Sequence, residues 1–158
     1  MSNYQDLEII TIPKLKNLFL LLKNNSFFLK LLNKIEDVYR IYFIKLKLKK
    51  FKPDYLIAGW APFEGFYSAK QNFHPYIQIL FGSEILLYPF FNYKLYKKIK
   101  IILQKSDFIL CDSNYGKEYT HKIGNKDLNK ILVIPYGIEL NIFYKFKKDS
   151  LREKYGNE

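Results

Sequence analysis

Four short apolar runs from Pro53 onward are each followed closely by glycine, polar or aromatic residues. These residues are Gly59 and Trp60, Gly82 to Glu84, Ser113 and Asn114, and Gly137 and Glu139. Hydroxyl, amide and carboxylate groups can hydrogen-bond a ligand hydroxyl, and a glutamate can also serve as a general base. Glycines let the backbone approach a ligand closely, and an aromatic ring can stack on a ring-shaped ligand. We therefore take the four clusters as the candidate binding site.

Most of these candidates also have an ordinary structural interpretation, and both interpretations stay open at the level of sequence. Ser83, Ser113 and Asn114 stand where a following helix would begin, so their side chains are equally suited to capping that helix. Glu64 and Glu84 are interpreted either as partners of a ligand hydroxyl or as surface carboxylates.

The sequence assigns no catalytic residue and no metal site. No nucleophile with a base and an orienting partner emerges, and no phosphate-binding glycine-rich loop is present. Trp60 is expected either to stack on a ligand or to pack at the sheet edge. The two histidines and the single Cys111 do not form a metal-ligand set. His74 is predicted to lie in a loop ahead of a strand, and His121 near the end of a helix.

The elements that position these clusters are short β-strands that alternate with helices. Strands are predicted over residues 55–58, 76–80, 107–111 and 130–134, where apolar and β-branched residues cluster. Helices are predicted after Gly65 to about Asn72, from about Phe91 to Gln104, and after Asn114 to about Ile123. Regular alternation predicts an incomplete Rossmann-like α/β fold, with a parallel sheet and helices on both faces. Ligands of such sheets bind beyond the carboxyl ends of the strands.

The first third of the chain is predicted to be mainly helical. A strand over Leu7–Ile12 is stopped by Pro13, and apolar residues then recur at helical spacing through Lys14–Lys52. Asn24 to Ser26 offer a break and a new helix start, and a further helix is expected from about Ile35 to Lys50. Its alternating end, Lys45–Lys50, is also compatible with a strand. Helix is favoured because lysines complement the dipole at a helix carboxyl end.

Composition favours a single cytoplasmic domain of the usual globular kind. The chain has 158 residues, 49% of them hydrophobic, and one cysteine, which excludes an internal disulfide. No targeting segment is recognised. The net charge is +11, but lysine supplies nearly all of it, and Arg40 and Arg152 are the only arginines. This bias is typical of an AT-rich genome, and no nucleic-acid-binding motif accompanies it, so nucleic acid is not an expected partner.

Four segments resemble the family-4 (group 1) glycosyltransferases, which have the GT-B fold. Residues 134–143 are similar to the family's IPNGVDxxxF signature, and residues 105–113 to its strand that ends in serine. Residues 81–86 resemble its HGSDxL turn, with Phe81 in place of the histidine and Glu84 in place of the aspartate. Residues 151–156 resemble the LRxKYG helix. The order and spacing of the segments also fit the family.

The resemblance implies the N-terminal, acceptor-side domain of a retaining glycosyltransferase. Residues 1–146 would form this domain without the family's first strand and glycine-rich loop, and residues 147–158 would begin the crossover to an absent donor domain. The implied donor is a nucleotide sugar that this chain does not itself bind, so no cofactor is expected on it. The implied partners are a glycan or lipid-linked acceptor and a separate donor domain.

The resemblance also distributes roles over the candidate residues. The acceptor-site candidates are Trp60, Glu64, Gly82, Ser83, Glu84, Ser113 and Asn114, and the interdomain hinge candidates are Pro135, Gly137 and Glu139. An alternative function is a non-enzymatic α/β module that binds a partner or an anionic membrane surface through the lysine-rich segment Lys14–Lys52. The expected location under that alternative is the inner face of the membrane.

Overall fold

The computed structural model describes residues 26–141 of the chain. The strand predicted at Leu7–Ile12 lies outside the described residues. The same holds for residues 142 and 143 of the signature and for the motif at residues 151–156.

Four strands form one fully parallel sheet. They are β1 (Leu56–Ala58), β2 (Tyr76–Ile79), β3 (Phe108–Cys111) and β4 (Ile131–Val133), and they lie side by side in chain order. The four strands predicted from the sequence are confirmed, each one or two residues shorter than expected. Because all four are parallel, the segments that follow them leave the sheet at the same edge.

One long helix precedes the sheet, and the connections between the strands are also helical. The helices are α1 (Ser26–Phe51), α2 (Phe66–Ala69), α3 (Ser83–Leu86), α4 (Tyr88–Phe91), α5 (Tyr93–Lys105) and α6 (Asn114–Gly124). A π-helical turn, Ala61–Gly65, precedes α2, and a 3₁₀ turn, Leu128–Lys130, precedes β4. The helix expected up to Asn72 therefore ends earlier, at Ala69.

Helix α1 runs without interruption from Ser26 to Phe51, so the separate helix expected to begin near Ile35 is wrong. No glycine or proline occurs in this stretch to break it. An ion pair between Arg40 and Glu36, with Nη2 and Oε1 2.6 Å apart, bridges one turn just past the expected boundary. The helical interpretation of Lys45–Lys50 is confirmed.

Side chains cap the two longer helices of the connecting layer. The carboxamide oxygen of Asn92 accepts hydrogen bonds from the amides of Lys94 and Leu95, at 2.9 and 3.2 Å, and so fixes the start of α5. The Ser113 side chain caps the start of α6 by accepting from the Gly116 amide, and the helix ends at Gly124. The next residue, Asn125, has a φ of 49°, the left-handed conformation typical of a helix carboxyl cap.

The core lies between one face of the sheet and the connecting helices. Ala58, Gln78, Ile109 and Ile131 are neighbours in register on this face, and all four are buried. Buried side chains of α5 and α6 pack against them. The opposite face is apolar and only partly covered within residues 26–141, since Ile57 and Leu132 remain about half exposed.

A buried glutamine ties the end of β1 to β2. The Nε2 atom of Gln78 donates to the carbonyl oxygens of Ala58 and Gly59, at 3.2 and 3.0 Å. Its Oε1 atom accepts a hydrogen bond from the Tyr76 hydroxyl. These bonds fix the backbone just before Trp60, and they satisfy polar groups that would otherwise be costly to bury.

Residues 26–141 thus form a four-stranded parallel sheet flanked by helices, which is consistent with an incomplete Rossmann-like α/β domain. None of the helices in this part of the chain combines the length and the apolar character needed to cross a bilayer.

Candidate functional site

The loops that follow β1, β2, β3 and β4 meet along one edge of the sheet. We call this edge the carboxyl rim and define it as residues 59–60, 81–84, 112–114 and 134–137. A β-carbon placed on Gly59 would lie 3.3 Å from Cε2 of Phe81, so these two loops touch. The rings of Phe81 and Tyr136 stack, with centroids 6.2 Å apart. The rim therefore continues from β1 to β4.

Glu84 is fully buried within the rim, so the surface interpretation of this carboxylate is wrong. Its Oε1 atom accepts a hydrogen bond from the Phe81 amide at 3.0 Å, and the Ser83 hydroxyl lies 3.4 Å from its Oε2. Gly82, between them, has a φ of 105°, a conformation that side chains other than glycine rarely adopt. The turn is thus held by its own carboxylate.

The capping interpretation of Ser113 is confirmed, since this residue caps the start of α6. Its Oγ accepts a hydrogen bond from the Gly116 amide at 3.1 Å and donates to Oδ1 of Asp112 at 3.0 Å. Ser83 is different, because Gly82 occupies the capping position of α3 and no side-chain cap is formed there. Asn114 is the first residue of α6 and is exposed on the rim.

Tyr136 and Asp112 belong to the rim, although the motifs did not select them as site residues. Burial first, and then the nearby carboxylates of Asp112 and Glu84, raise the pKa of Tyr136 above its usual value. The phenol therefore stays protonated over the physiological range and remains a hydrogen-bond donor. Their positions in the sequence could have indicated this, since Asp112 comes one residue after β3 and Tyr136 three residues after β4.

Trp60 and Glu64 open onto a cleft of about 470 Å³ beside β1. Arg40 and Ile44 of α1 form one wall of this cleft, and Phe63 and Tyr67 contribute to the other. The indole of Trp60 packs against the Phe63 ring, with centroids 4.8 Å apart, and is 38% exposed. Trp60 is therefore neither isolated on the surface nor buried against the sheet.

Polar side chains of α1 and α2 are linked beside the cleft, which Arg40 and Tyr67 line. The Tyr67 hydroxyl donates to Oδ1 of Asp37 at 2.6 Å, and the Arg40 guanidinium lies 5.7 Å from the centre of the Tyr67 ring. Burial, followed by the bond to Asp37, raises the pKa of Tyr67 to about 12. The hydrogen bond to Glu36 is the main cause that raises the pKa of Arg40. Both groups therefore hold their protons at neutral pH.

Neither histidine reaches the rim. His74 lies at the amino end of β2, where its Nδ1 is 2.8 Å from Oδ2 of Asp107. His121 lies in the last turn of α6, and its Nδ1 is 2.7 Å from the carbonyl oxygen of Lys126. Both sequence predictions, a loop histidine and a helix-end histidine, are confirmed. Among residues 26–141, no three His, Cys, Asp or Glu side chains are grouped as a metal site would require.

The hinge candidates follow β4 in an extended, exposed segment. Pro135, Gly137 and Glu139 are all exposed, and a β-carbon added to Gly137 would meet no atom within 4 Å. Glu139 accepts a hydrogen bond from the Asn141 amide group at 3.2 Å, within the same segment. Beneath Tyr136 lies an apolar pocket of about 160 Å³, lined in part by Ile79, Leu110 and Ile134.

Fold and rim together define the chain as an α/β protein with an incomplete Rossmann-like domain and a cleft beside its first described strand. No protein-family model matches the chain, and no curated protein matches it either.

Proposed function

We propose that this chain is the acceptor-side domain of a retaining glycosyltransferase. The complete enzyme would move a sugar from a nucleotide sugar to a glycan or a lipid-linked acceptor, and this chain alone would be inactive. The observation that carries the proposal is that three motif-like segments, residues 81–86, 105–113 and 134–141, have loops on the carboxyl rim, where ligands of parallel α/β sheets bind.

The cleft beside β1 is suited to an acceptor sugar. Its volume of about 470 Å³ falls in the range typical of small-molecule sites. The Trp60 and Phe63 rings provide an aromatic surface for the apolar face of a pyranose. Glu64 is exposed at the same cleft, and its carboxylate is placed to accept hydrogen bonds from acceptor hydroxyls.

The segment after β4 is suited to contact with a donor domain. Four of its apolar side chains are more than half exposed: Ile134, Tyr136, Ile138 and Leu140. Apolar side chains exposed in succession are costly in water and commonly mark a contact surface. Pro135, Gly137 and Glu139 alternate with them, and they would form the hinge of the complete enzyme.

Buried contacts at the rim account for two of the candidates. Glu84 would shape the acceptor-side turn through its bond to the Phe81 amide, and Ser113 would hold the start of α6. Phe81 has no proton to exchange, so this chain would not supply the chemistry that the family places at the corresponding histidine.

Calorimetry separates acceptor binding from donor binding. UDP-glucose and GDP-mannose are titrated into the purified chain, in parallel with methyl glycosides and octyl glucoside. The proposal expects no measurable heat from either nucleotide sugar and weak, saturable heat from at least one glycoside. Tight binding of a nucleotide sugar by the chain alone would contradict the proposed division of labour.

A further inference from the structure

Helix α1 carries an exposed apolar stripe along its outer side. The stripe consists of Leu31, Ile35, Val38, Tyr42 and Leu46, spaced four, three, four and four residues apart. This spacing places all five on one side of a helix. Val38 and Tyr42 are 67% and 61% exposed, and the other three are close to half exposed.

The inner side of α1 faces the rest of the protein and carries both of the helix's acidic residues. Asp37 accepts the hydrogen bond from Tyr67, and Glu36 is paired with Arg40. The Gln71 side chain also donates to the carbonyl oxygen of Ile41, at 3.2 Å. The two acidic side chains of α1 are thus turned inward, Glu36 paired with Arg40 and Asp37 hydrogen-bonded by Tyr67.

The charges left on the outer side of α1 are positive. Lys34, Lys45 and Lys49 are exposed on the same side of the helix as the stripe, and Lys30 and Lys50 are exposed beside it. Glu36 and Asp37, the acidic residues of α1, are half-buried on the other side of the helix. The outer side therefore combines five apolar side chains with lysines and no exposed acid.

We propose that the outer side of α1 docks on an anionic lipid surface, with the helix axis lying in the plane of the membrane. The five stripe side chains enter the headgroup boundary, and the flanking lysines contact the phosphate groups. Charge complementarity selects this occupant, because a basic surface without acids is matched by anionic lipid. The apolar stripe has no counterpart in binding to a nucleic-acid backbone, where contacts are made chiefly by charged and polar groups.

This docking surface is independent of the proposed transfer activity. It lies on the outside of α1, while Arg40 and Ile44 of the same helix line the cleft. A chain that binds no glycoside would contradict the proposed function, and a chain that binds no lipid would contradict the docking surface; each result leaves the other proposal standing.

Flotation with lipid vesicles tests the proposal. The full chain is mixed with vesicles of neutral phosphatidylcholine, or of phosphatidylcholine with about a third phosphatidylglycerol. The proposal expects recovery with the anionic vesicles and little with the neutral ones, and release as salt is raised. Equal recovery from both vesicle types, or recovery from neither, would overturn it.

Two double variants and one control identify the surface. The Lys45→Gln/Lys49→Gln variant should weaken partitioning about 25-fold, since each lysine near an anionic surface contributes about fivefold. The Val38→Gln/Leu46→Gln variant should weaken it by roughly tenfold for each side chain removed from the interface. Lys122→Gln/Lys130→Gln has the same net charge as the first variant, lies near β4 and away from α1, and should bind like the unmodified chain.

Circular dichroism must first show that the variants melt like the parent. Two further outcomes would then overturn the assignment of lipid docking to α1. Equal weakening by the control would reduce the effect to net charge and overturn the assignment to α1. A dimer seen by analytical ultracentrifugation that Val38→Gln/Leu46→Gln abolishes, without vesicle binding, would assign the stripe to a second copy instead.

Discussion

The rings of Phe81 and Tyr136 lie face to face across the carboxyl rim, with centroids 6.2 Å apart and planes inclined by 9°. Phe81 follows β2 and Tyr136 follows β4, so the pair spans the end of the intervening strand β3. Both residues are more than half exposed. The stack joins two loops that the sequence separates by 55 positions, and it depends on the parallel order of the strands.

Removing one ring of this pair should destabilise the protein modestly. Phe81→Ala is expected to lower the free energy of unfolding by about 1 kcal/mol, the value of an aromatic pair beyond its buried area. Tyr136→Phe keeps the stack and should stay close to the unmodified chain. Urea denaturation measures both. A Phe81→Ala variant as stable as the parent would mean that the rings do not pack as described.

Two glycines of the candidate site should respond in opposite ways to alanine. Gly82 has a φ of 105°, so Gly82→Ala should cost about 1–3 kcal/mol through backbone strain. Gly137 has open space around its α-carbon, and Gly137→Ala should change stability by no more than about 0.5 kcal/mol. Thermal melts of the pair decide this, and similar losses in both would show that the turn at Gly82 is not built as described.

Glu84 should be needed for stability because its carboxylate satisfies a backbone amide inside the protein. Glu84→Ala leaves the Phe81 amide without this acceptor and should cost about 1–3 kcal/mol. Glu84→Gln keeps an acceptor oxygen and should cost less. Hydrogen exchange at the Phe81 amide provides the direct readout, with faster exchange expected in the alanine variant. Unchanged exchange would contradict the hydrogen bond.

The pH dependence of stability should contain a contribution from Asp107. Burial alone would raise the pKa of this carboxyl, but hydrogen bonds from the Tyr76 amide and from His74 outweigh it and hold the pKa below its usual value. A carboxyl with a depressed folded pKa stabilises the protein above its unfolded pKa, about 3.9, and loses that contribution as pH falls through the folded value.

Asp107→Asn should remove this contribution. Urea midpoints measured from pH 6 to pH 3 should fall more steeply in the parent than in the variant, which should already be less stable at pH 6 by about 1 kcal/mol. Curves for the two proteins that run parallel over the whole range would contradict the depressed pKa.

The sequence predicts the positions of the four strands well, because each strand is a short apolar run bounded by polar residues, glycine or proline. Ile109 and Ile131, for example, occur in apolar runs whose pairing leaves one face buried. Ser113 could be recognised as a cap because capping depends only on residues three places away. The strand order and the shared rim follow from the parallel pairing that the β-α alternation predicts.

The cleft could not be predicted, since it depends on where α1 packs. Arg40, Asp37 and Tyr67 come together through contacts between α1 and α2 that no local pattern encodes. The sequence also could not predict that Glu84 is buried, because a glutamate beside serine in a turn is typical of a surface position. The break expected at Asn24 to Ser26 agrees with the start of α1 at Ser26, but the second boundary expected near Ile35 is wrong, since no glycine or proline interrupts the helix after Ser26.

Trp60 is the only tryptophan of the chain, so its fluorescence reports directly on the cleft. Titration with methyl glycosides and octyl glucoside should give a saturable change in this fluorescence, and Glu64→Gln should weaken the apparent affinity without unfolding the protein. UDP-glucose and GDP-mannose should leave the signal unchanged. A response to the nucleotide sugars, together with none to any glycoside, would contradict the acceptor-side account.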